Sequence, residues 1–495
     1  MATRPTILFT TSPEAGQSNF CVSLIRHLLL HANKVGASVS IHLAAECLDG
    51  KFSRRVGSLF NDSEVTFHPL GKRGQAEETA ENVEKVRHPP GWKDKIPYRD
   101  MLKVLTFGTD FYVKGTNEMM RLIDTLKPDL VINDQILMTA IDACQNTGTK
   151  YAIFSPVPLG EPFLIPHQPY LSWLWKYPVY FSGLPYPLPL SCIPANLSCF
   201  FSMVYTAITS PESKQLREAR KAANLKGPIP LVDGYPHDAV LYIVAGFPEA
   251  DYPLLSRPKN AIEVGPLAEF HNNSPSASDS PSTVSPIRSW LDDAAACQDQ
   301  VVLICLGTHI QFTKQSGNTE RMADAIERTV LRKGTRVLWK LPNANDYEDL
   351  VEGMRARLGH KIHVTNWIDV PMPILYNHPA VDVVVHHGGA NSYLEALKFG
   401  IKQVVLPQWY DTYNQCSRIE YIGVGLWGSR TSAPDISAPE LHDTLVCVLD
   451  DKKGTFKASV ARLKDACAQT GGGELAASKV LEVVLDSTVE VKKER

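Results

Sequence analysis

Two histidines followed by two glycines, His386-His387-Gly388-Gly389, end an apolar run at Val381–Val385 and precede a helical pattern from Asn391 to Phe399. Glycines ahead of a helix start let backbone amides approach an anion, and the helix dipole favours negative charge there. The chemistry these residue types suit is the binding of a phosphate group. His386 is expected to point away from that site, because neighbours on a strand alternate faces. A second apolar run, Gln403–Leu406, closes on Pro407, so the stretch reads strand, Gly-rich turn, helix, strand, as in a parallel α/β sheet.

The rest of the chain supplies two such sheets. Strand patterns at Thr6–Thr11, Ser38–Ala45, Val65–Pro69, Leu130–Asp134 and Tyr151–Ser155 alternate with helical ones at Asn19–His31, Asp100–Leu126 and Ile136–Asn146. After Pro156 the texture changes to prolines among Phe, Tyr, Trp and Leu, predicting a long irregular segment to Leu197. Regular pattern resumes with a helix at Pro211–Asn224 and strands at Ala239–Ala245 and Ala261–Val264. Glu77–Arg87 is charged and reads as a solvated helix or loop. Asn272–Pro286 is Ser/Pro-rich and polar, the mark of a linker. Beyond it the alternation restarts at Val301–Leu306, Thr319–Arg332, Arg336–Leu341 and Ile362–Val364, and helical patterns at Ala438–Leu449, Phe456–Gln469 and Gly473–Leu485 form the tail. The expected organisation is a first α/β domain over 1–266, a linker over 267–288, a second α/β domain over 289–470, and a helix and tail over 471–495 that packs back on the first domain.

A chain of 495 residues is too long for one ordinary core. Its 44% hydrophobic and 21% charged content is that of a globular protein, and a net charge of −3 gives no electrostatic case for nucleic acid or an anionic membrane. Ten scattered cysteines without a C-x-x-C pair argue against zinc and redox motifs and for a reduced, cytoplasmic setting. No secretory signal is read at the start, and no uninterrupted apolar run of about 18 residues predicts a transmembrane segment. Phe163–Ala207 comes nearest but is broken by prolines, which leaves peripheral membrane contact as the alternative to packing on the protein.

At this point the residues resemble a family. Trp367, His378-Pro379-Ala380-Val381, His387 to Ser392, Glu395-Ala396, Pro407, Asp411 and Gly423-Val424-Gly425 together resemble the nucleotide-sugar signature of family-1, UDP-dependent glycosyltransferases. The W-Y-D-T-Y spelling at 409–413 is similar to members from filamentous fungi. The resemblance extends to Gly307-Thr308, Val264-Gly265-Pro266 and Pro128-Asp129 with Asp134. It implies the GT-B fold, two Rossmann-like doubly wound parallel-sheet domains facing a cleft, and a UDP-sugar donor as co-substrate with no metal or other cofactor.

Each residue then has a task. Trp367 would stack on uracil, an interaction worth roughly 1–3 kcal/mol, the bland alternative being a core tryptophan; backbone at Ile368 would meet the base edge. His387, the amides from Gly389 through Asn391 to Ser392 and the Thr308 hydroxyl would hold the diphosphate. Glu395 would take the ribose hydroxyls or be an exposed helix charge. Asp411 would accept hydrogen bonds from the sugar. The family's usual Gln beside that Asp is Thr412 here, with Asn414 close by, so the resemblance points to a hexose, glucose by family habit, without fixing which.

The catalytic base departs most from the family. These enzymes invert: a base takes the acceptor hydroxyl proton as the oxygen attacks the anomeric carbon. The usual His in the turn after the first strand is Gln17 here, in Glu14-Ala15-Gly16-Gln17. A neutral amide is no general base, and losing one costs a factor of about 10²–10⁴. Three ways out stay open: Asp134 takes the proton, or Glu14 does, or Gln17 orients a water or an acidic acceptor such as a phenol. Asp134 as a plain helix cap is the alternative to its catalytic reading. The aromatic segment, with Phe163, Trp173, Trp175 and Tyr177, is expected to form an apolar wall for a hydrophobic small-molecule acceptor. The two rival readings are a non-catalytic binder of UDP-sugar or aglycone, motivated by Gln17, and a sterol- or lipid-directed transferase.

Overall fold

Runs of Val, Ile and Leu long enough for a strand and apolar on both sides can be buried only inside a sheet covered on both faces. The structure, a computed structural model, describes residues 4–46, 50–70, 86–106, 108–161, 168–267, 285–307 and 310–493, and it holds two such sheets. The first has seven parallel strands: β1 (Thr6–Thr11), β2 (Ser40–Glu46), β3 (Val65–Leu70), β4 (Leu130–Asp134), β5 (Tyr151–Ser155), β6 (Tyr242–Val244) and β7 (Ala261–Glu263), in the order β3-β2-β1-β4-β5-β6-β7. The second has six: β8 (Gln300–Ile304), β9 (Thr335–Lys340), β10 (Ile362–Thr365), β11 (Val381–His386), β12 (Lys402–Val405) and β13 (Gly425–Trp427), in the order β10-β9-β8-β11-β12-β13. All pairings are parallel.

Alternation along the strands sorts side chains to two cores per sheet. Ile7 and Phe9 of β1 face one cluster while Leu8 between them faces another. Val302 and Ile304 of β8 likewise oppose Val301 and Leu303. Both sheets reverse direction of growth once, between β1 and β4 and between β8 and β11. In open α/β sheets ligands bind at the carboxyl ends of strands flanking such a reversal. The candidate residues stand there: Ser12 to Gln17 follow β1, Asp134 ends β4, Gly307 follows β8 and His387 follows β11.

The two sheets share a core. Tyr393, Leu394 and Leu397 from the helix Ala390–Phe399 join the same apolar cluster as Phe20 and Leu24 of the helix Ala15–Lys34. The chain's last helix, Gly472–Lys493, lies against that same first-domain helix, with Val480 and Leu481 buried in the cluster. The two backbones come close because Gly473 has no side chain: a Cβ there would fall 2.0 Å from the His27 ring.

Several expectations need correcting. The helical spacing over Asp100–Leu126 is two helices, Tyr98–Thr106 and Thr109–Leu126, broken at Gly108, whose φ of +79° no helix continues through. The irregular segment stops short of Leu197, because a helix runs over Ile193–Thr209 with Pro194 in its first turn, where a missing N–H costs nothing. Helices at Lys51–Leu59, Pro286–Ala296, Glu348–Leu358 and Thr412–Tyr421 were not anticipated. The polar linker lies almost entirely outside the described residues, as do Phe163 and Thr308.

Candidate active site

The second-sheet side of the cleft is shaped by glycines that make room for His387. A Cβ on Gly307 would stand 2.9 Å from the His387 ring, and one on Gly389 would stand 2.8 Å from it. Gly388 has φ +95°, and a Cβ there would meet the Thr412 carbonyl at 2.7 Å, so only glycine turns β11 into the next helix. His387 thus lies between the ends of β8 and β11, at the start of the helix Ala390–Phe399, whose first turn carries Asn391 and the half-buried Ser392. His386 points the other way, as expected. It is fully buried, accepts from the Gly388 amide at 3.0 Å and pairs with Gln403 at 2.9 Å, and burial drops it to about 4.

Trp367 follows β10 and is 63% exposed, which rules out the core reading. Lys340 at the end of β9 sits 4.5 Å from the centre of its ring, a cation beside a flat face that sequence patterns did not single out. Ile368 is half-buried against the cluster holding Val370 and Leu375. Glu395 lies one turn beyond Asn391, half-buried, facing Asn19 and Phe20 of the first domain. Asn391 itself reaches across the cleft and donates to the Gly16 carbonyl at 3.0 Å.

The loop after β12 carries Asp411 at the start of the helix Thr412–Tyr421. Thr412 does not face the cleft. It is fully buried, its hydroxyl accepts from the Gln408 and Trp409 amides at 3.2 and 3.1 Å, and it donates to the Trp409 carbonyl. It therefore shapes the loop, and its expected place on the sugar is withdrawn. Asp411 is pushed up to about 7, chiefly by burial, with Glu161 and Glu14 adding to it.

On the first-sheet side, Asp134 is fully buried and both its oxygens are engaged. One accepts from Ser12 N at 3.2 Å and Thr11 Oγ1 at 3.4 Å, the other from Ile136 N at 3.1 Å. Burial still raises it to about 7 against those bonds. Glu14 stands at the start of the helix Ala15–Lys34 without capping it. Its Oε1 is buried and has no hydrogen-bond partner among the described residues, and burial raises its carboxyl to about 7. The Gln17 side-chain oxygen is similarly buried and without a partner there. Glu14 is near enough to raise both Asp134 and Asp411 electrostatically, in each case behind the larger effect of burial. Among the described residues no group of three or more His, Cys, Asp or Glu converges as metal ligands would.

Comparisons with known proteins fit this geometry. Residues 351–481 match the C-terminal domain family of erythromycin biosynthesis protein CIII-like proteins. The chain is 30% identical to glycosyltransferase sdnJ of Sordaria araneosa over 453 residues, 87% of this chain and 84% of that one. The chain is a family-1, UDP-dependent glycosyltransferase. It also resembles UDP-glycosyltransferase 71B2 of Arabidopsis thaliana, at 25% identity over 60% of this chain and 62% of the relative. Medicago truncatula UGT71G1, solved with UDP-glucose, shares its GT-B fold with a TM-score of 0.64 at 18% identity, covering 98% of each chain. A UDP-glucosyltransferase from Polygonum tinctorium superposes equally well, TM-score 0.64, at 16% identity over 98% of this chain and 99% of that one.

In this glycosyltransferase the expected acceptor wall is built differently. Tyr177 is fully buried, bonds the Pro253 carbonyl at 2.8 Å and stacks on Tyr186, so it is core and not wall. Trp173 packs on Phe200 at 4.3 Å, and Trp175 is 49% exposed with its indole N–H on the Tyr170 carbonyl. Next to Asp411 in the chain, Trp409 and Tyr410 join Tyr98 and Phe181 in a packed aromatic cluster in which Tyr98 and Tyr410 are buried and Phe181 and Trp409 half-buried.

Arg87 and His88 hold that cluster to the donor side. Arg87, read as solvated, is buried between the domains and donates to Gln408 at 2.9 Å and Asp435 at 3.0 Å. His88 accepts from the Tyr410 amide at 2.9 Å. Deeper in the interface Arg418, fully buried, binds Glu161 at 2.6 Å and Asp251 at 2.9 Å, with Gln415 on Glu161 at 2.7 Å. These contacts join residues more than 150 positions apart, and no local pattern marks them.

Proposed function

We propose that this enzyme transfers a hexose, glucose from UDP-glucose, onto a hydroxyl of a hydrophobic small molecule, with Glu14 as the base. The observation that carries the reading is the Glu14 carboxylate at the start of the helix after β1, with one buried oxygen that has no hydrogen-bond partner among the described residues and a carboxyl raised to about 7. A base poised near the operating pH is what general-base catalysis requires. Asp134 is ill placed for the task because both its oxygens already hold backbone amides. Its role is to fix the Ser12–Glu14 turn. Gln17 beside Glu14 would orient the acceptor oxygen.

The donor would lie along the second sheet. Trp367 would stack on uracil, and His387 with the amides of Gly389, Asn391 and Ser392 would hold the diphosphate at the helix start. Glu395 would take the ribose, and Asp411 the sugar hydroxyls. Glu14 removes the acceptor proton while the oxygen forms its bond to the anomeric carbon. The bond from that carbon to the phosphate oxygen breaks, UDP leaves with the electron pair, and the sugar inverts.

Phe181 and Trp409, the half-buried members of the aromatic cluster, are the rings that would meet a flat, lipophilic acceptor. The Polygonum enzyme is described as glucosylating indoxyl, which supports an aromatic hydroxyl as the first acceptor to try. The test is release of UDP from UDP-glucose, and from other UDP-hexoses, across a panel of phenols and aliphatic alcohols, with the product anomer read by NMR. An α-linked product from an α-linked donor would refute inversion, and preference for another hexose would refute glucose.

A further inference from the structure

The helix Ile193–Thr209 contains no Asp, Glu, Lys or Arg in seventeen residues, yet it lies on the surface. Over Leu190–Thr209 the mean hydropathy is 1.3, and only 11% of the stretch is buried. A surface helix of a globular protein ordinarily turns charged residues outward. Here Phe201, Tyr205 and Ile208, spaced four and three apart on one face, are 60%, 69% and 61% exposed. Leu190, Trp175 on the adjoining short helix Ser172–Trp175, and Tyr170 and Leu171 just before that helix are exposed apolar side chains as well.

A basic flank adjoins it. The next helix, Pro211–Ala222, borders a recess of about 410 Å³ lined by Arg217, Arg220, Lys221 and Lys226. Glu212 is taken by Arg99, Asp233 by Arg217 and Asp142 by Arg220. That leaves Lys214, Lys221 and Lys226 exposed, against Glu218. An uncharged helix with Tyr and Trp at its margins and lysines beside it matches a bilayer interface: apolar chains in the acyl boundary, aromatics at headgroup level, lysines on anionic headgroups. A second protein copy would bring the same lysines together and leave them unmatched.

We propose that this face seats the enzyme on an anionic phospholipid surface, the helix lying in the interface without crossing it. Crossing is excluded by its inner side, where Asn196 and Cys199 are buried and Phe200 and Met203 pack on the cluster holding Tyr98, Phe181 and Tyr410. That packing ties the inner side of the helix to the loop carrying Asp411, so the apolar outer face alone is left to meet lipid; this does not depend on the transfer reading above. Vesicle binding is measured without donor or acceptor, so either reading can fail alone.

The test sediments the full chain with phosphatidylcholine vesicles, with and without phosphatidylserine, at low and high salt. The wild type should pellet with the phosphatidylserine vesicles and be released by salt. The triple variant Phe201→Asp, Tyr205→Asp, Ile208→Asp should bind at least about tenfold more weakly, with unchanged melting temperature and unchanged turnover of a water-soluble acceptor. Protein that stays in the supernatant with both vesicle types would overturn the proposal. So would a triple variant that pellets like wild type, or a wild-type dimer that the same substitutions convert to monomer.

Discussion

Replacing Glu14 by Gln keeps the shape of the side chain and removes only its ability to take a proton. With the carboxyl held near 7 by burial, about half is ionised at pH 7 and roughly nine-tenths at pH 8. Wild-type turnover should therefore rise about tenfold per pH unit below 7 and level off above it. Loss of a general base should lower kcat by about 10²–10⁴, roughly 3–5 kcal/mol of barrier. UDP affinity should not change, because Glu14 stands on the opposite side of the cleft from Trp367 and His387. The assay is steady-state UDP release over pH 5.5–9, alongside calorimetric UDP titration. The contrasting variant is Asp134→Asn, which leaves amide-binding oxygen on one side only and should lower the melting temperature more than it alters the pH profile. A Glu14→Gln enzyme whose kcat stays within about threefold of wild type would refute the assignment.

Trp367→Ala should weaken UDP binding by roughly 1–3 kcal/mol without moving the melting temperature, since the ring is mostly exposed; unchanged UDP affinity in calorimetry would remove it from the base site. His387→Ala should cost about 1.5–3 kcal/mol of UDP affinity, as a lost hydrogen bond to a charged group does, checked in the same titration. Arg418→Met leaves Glu161 and Asp251 buried without their cation and should destabilise the fold by about 3–5 kcal/mol, read from denaturant unfolding. Glu14, Asp134 and Asp411 are all raised to about 7 in the folded chain, so the fold keeps protons that the unfolded chain gives up. The stability they confer is complete below about pH 4 and is lost as pH rises through 7. Asp411→Asn should flatten that part of the melting-temperature profile, and an identical profile would count against a raised Asp411.

The strand, turn and helix of the proposed donor side are legible in the sequence because their determinants are local. A strand end, a left-handed glycine and a helix start occur within ten residues, and each restricts its neighbours: Gly388 must be glycine where it turns against Thr412, and His386 and His387 must part because a strand alternates. Trp367 could be placed for the same reason. What failed depended on direction or distance. Thr412 has the composition of a sugar contact, yet the tight loop after β12 turns its hydroxyl inward to two amides. Tyr177 and Trp173 carry the right rings, but Tyr186, Tyr252 and Phe200 occupy their faces. Prolines suggested an irregular chain through Leu197, and Pro194 instead begins a helix. Arg87 reads as one more charge in a polar stretch until the fold brings Gln408 and Asp435 beside it. The hydrogen bond from Asn391 to the Gly16 carbonyl, across almost four hundred residues, is a property of the assembled fold and of no segment alone.

The last helix has a bearing on how the chain is made. Gly472–Lys493 follows the second sheet in the chain, yet it covers the helix Ala15–Lys34 that opens the first. During synthesis the first-domain part of this cluster, including Leu24, Ile25 and Leu28, emerges long before Ala476, Val480 and Val484 complete it. At about 5–20 residues per second, that interval is some tens of seconds. For that time the nascent first domain shows an apolar stripe beside the turn that carries Glu14, a natural place for a chaperone to hold. A chain stopped before residue 472 would keep both sheets and all the donor contacts and still present that stripe, so its fate would be decided by aggregation before catalysis could be measured.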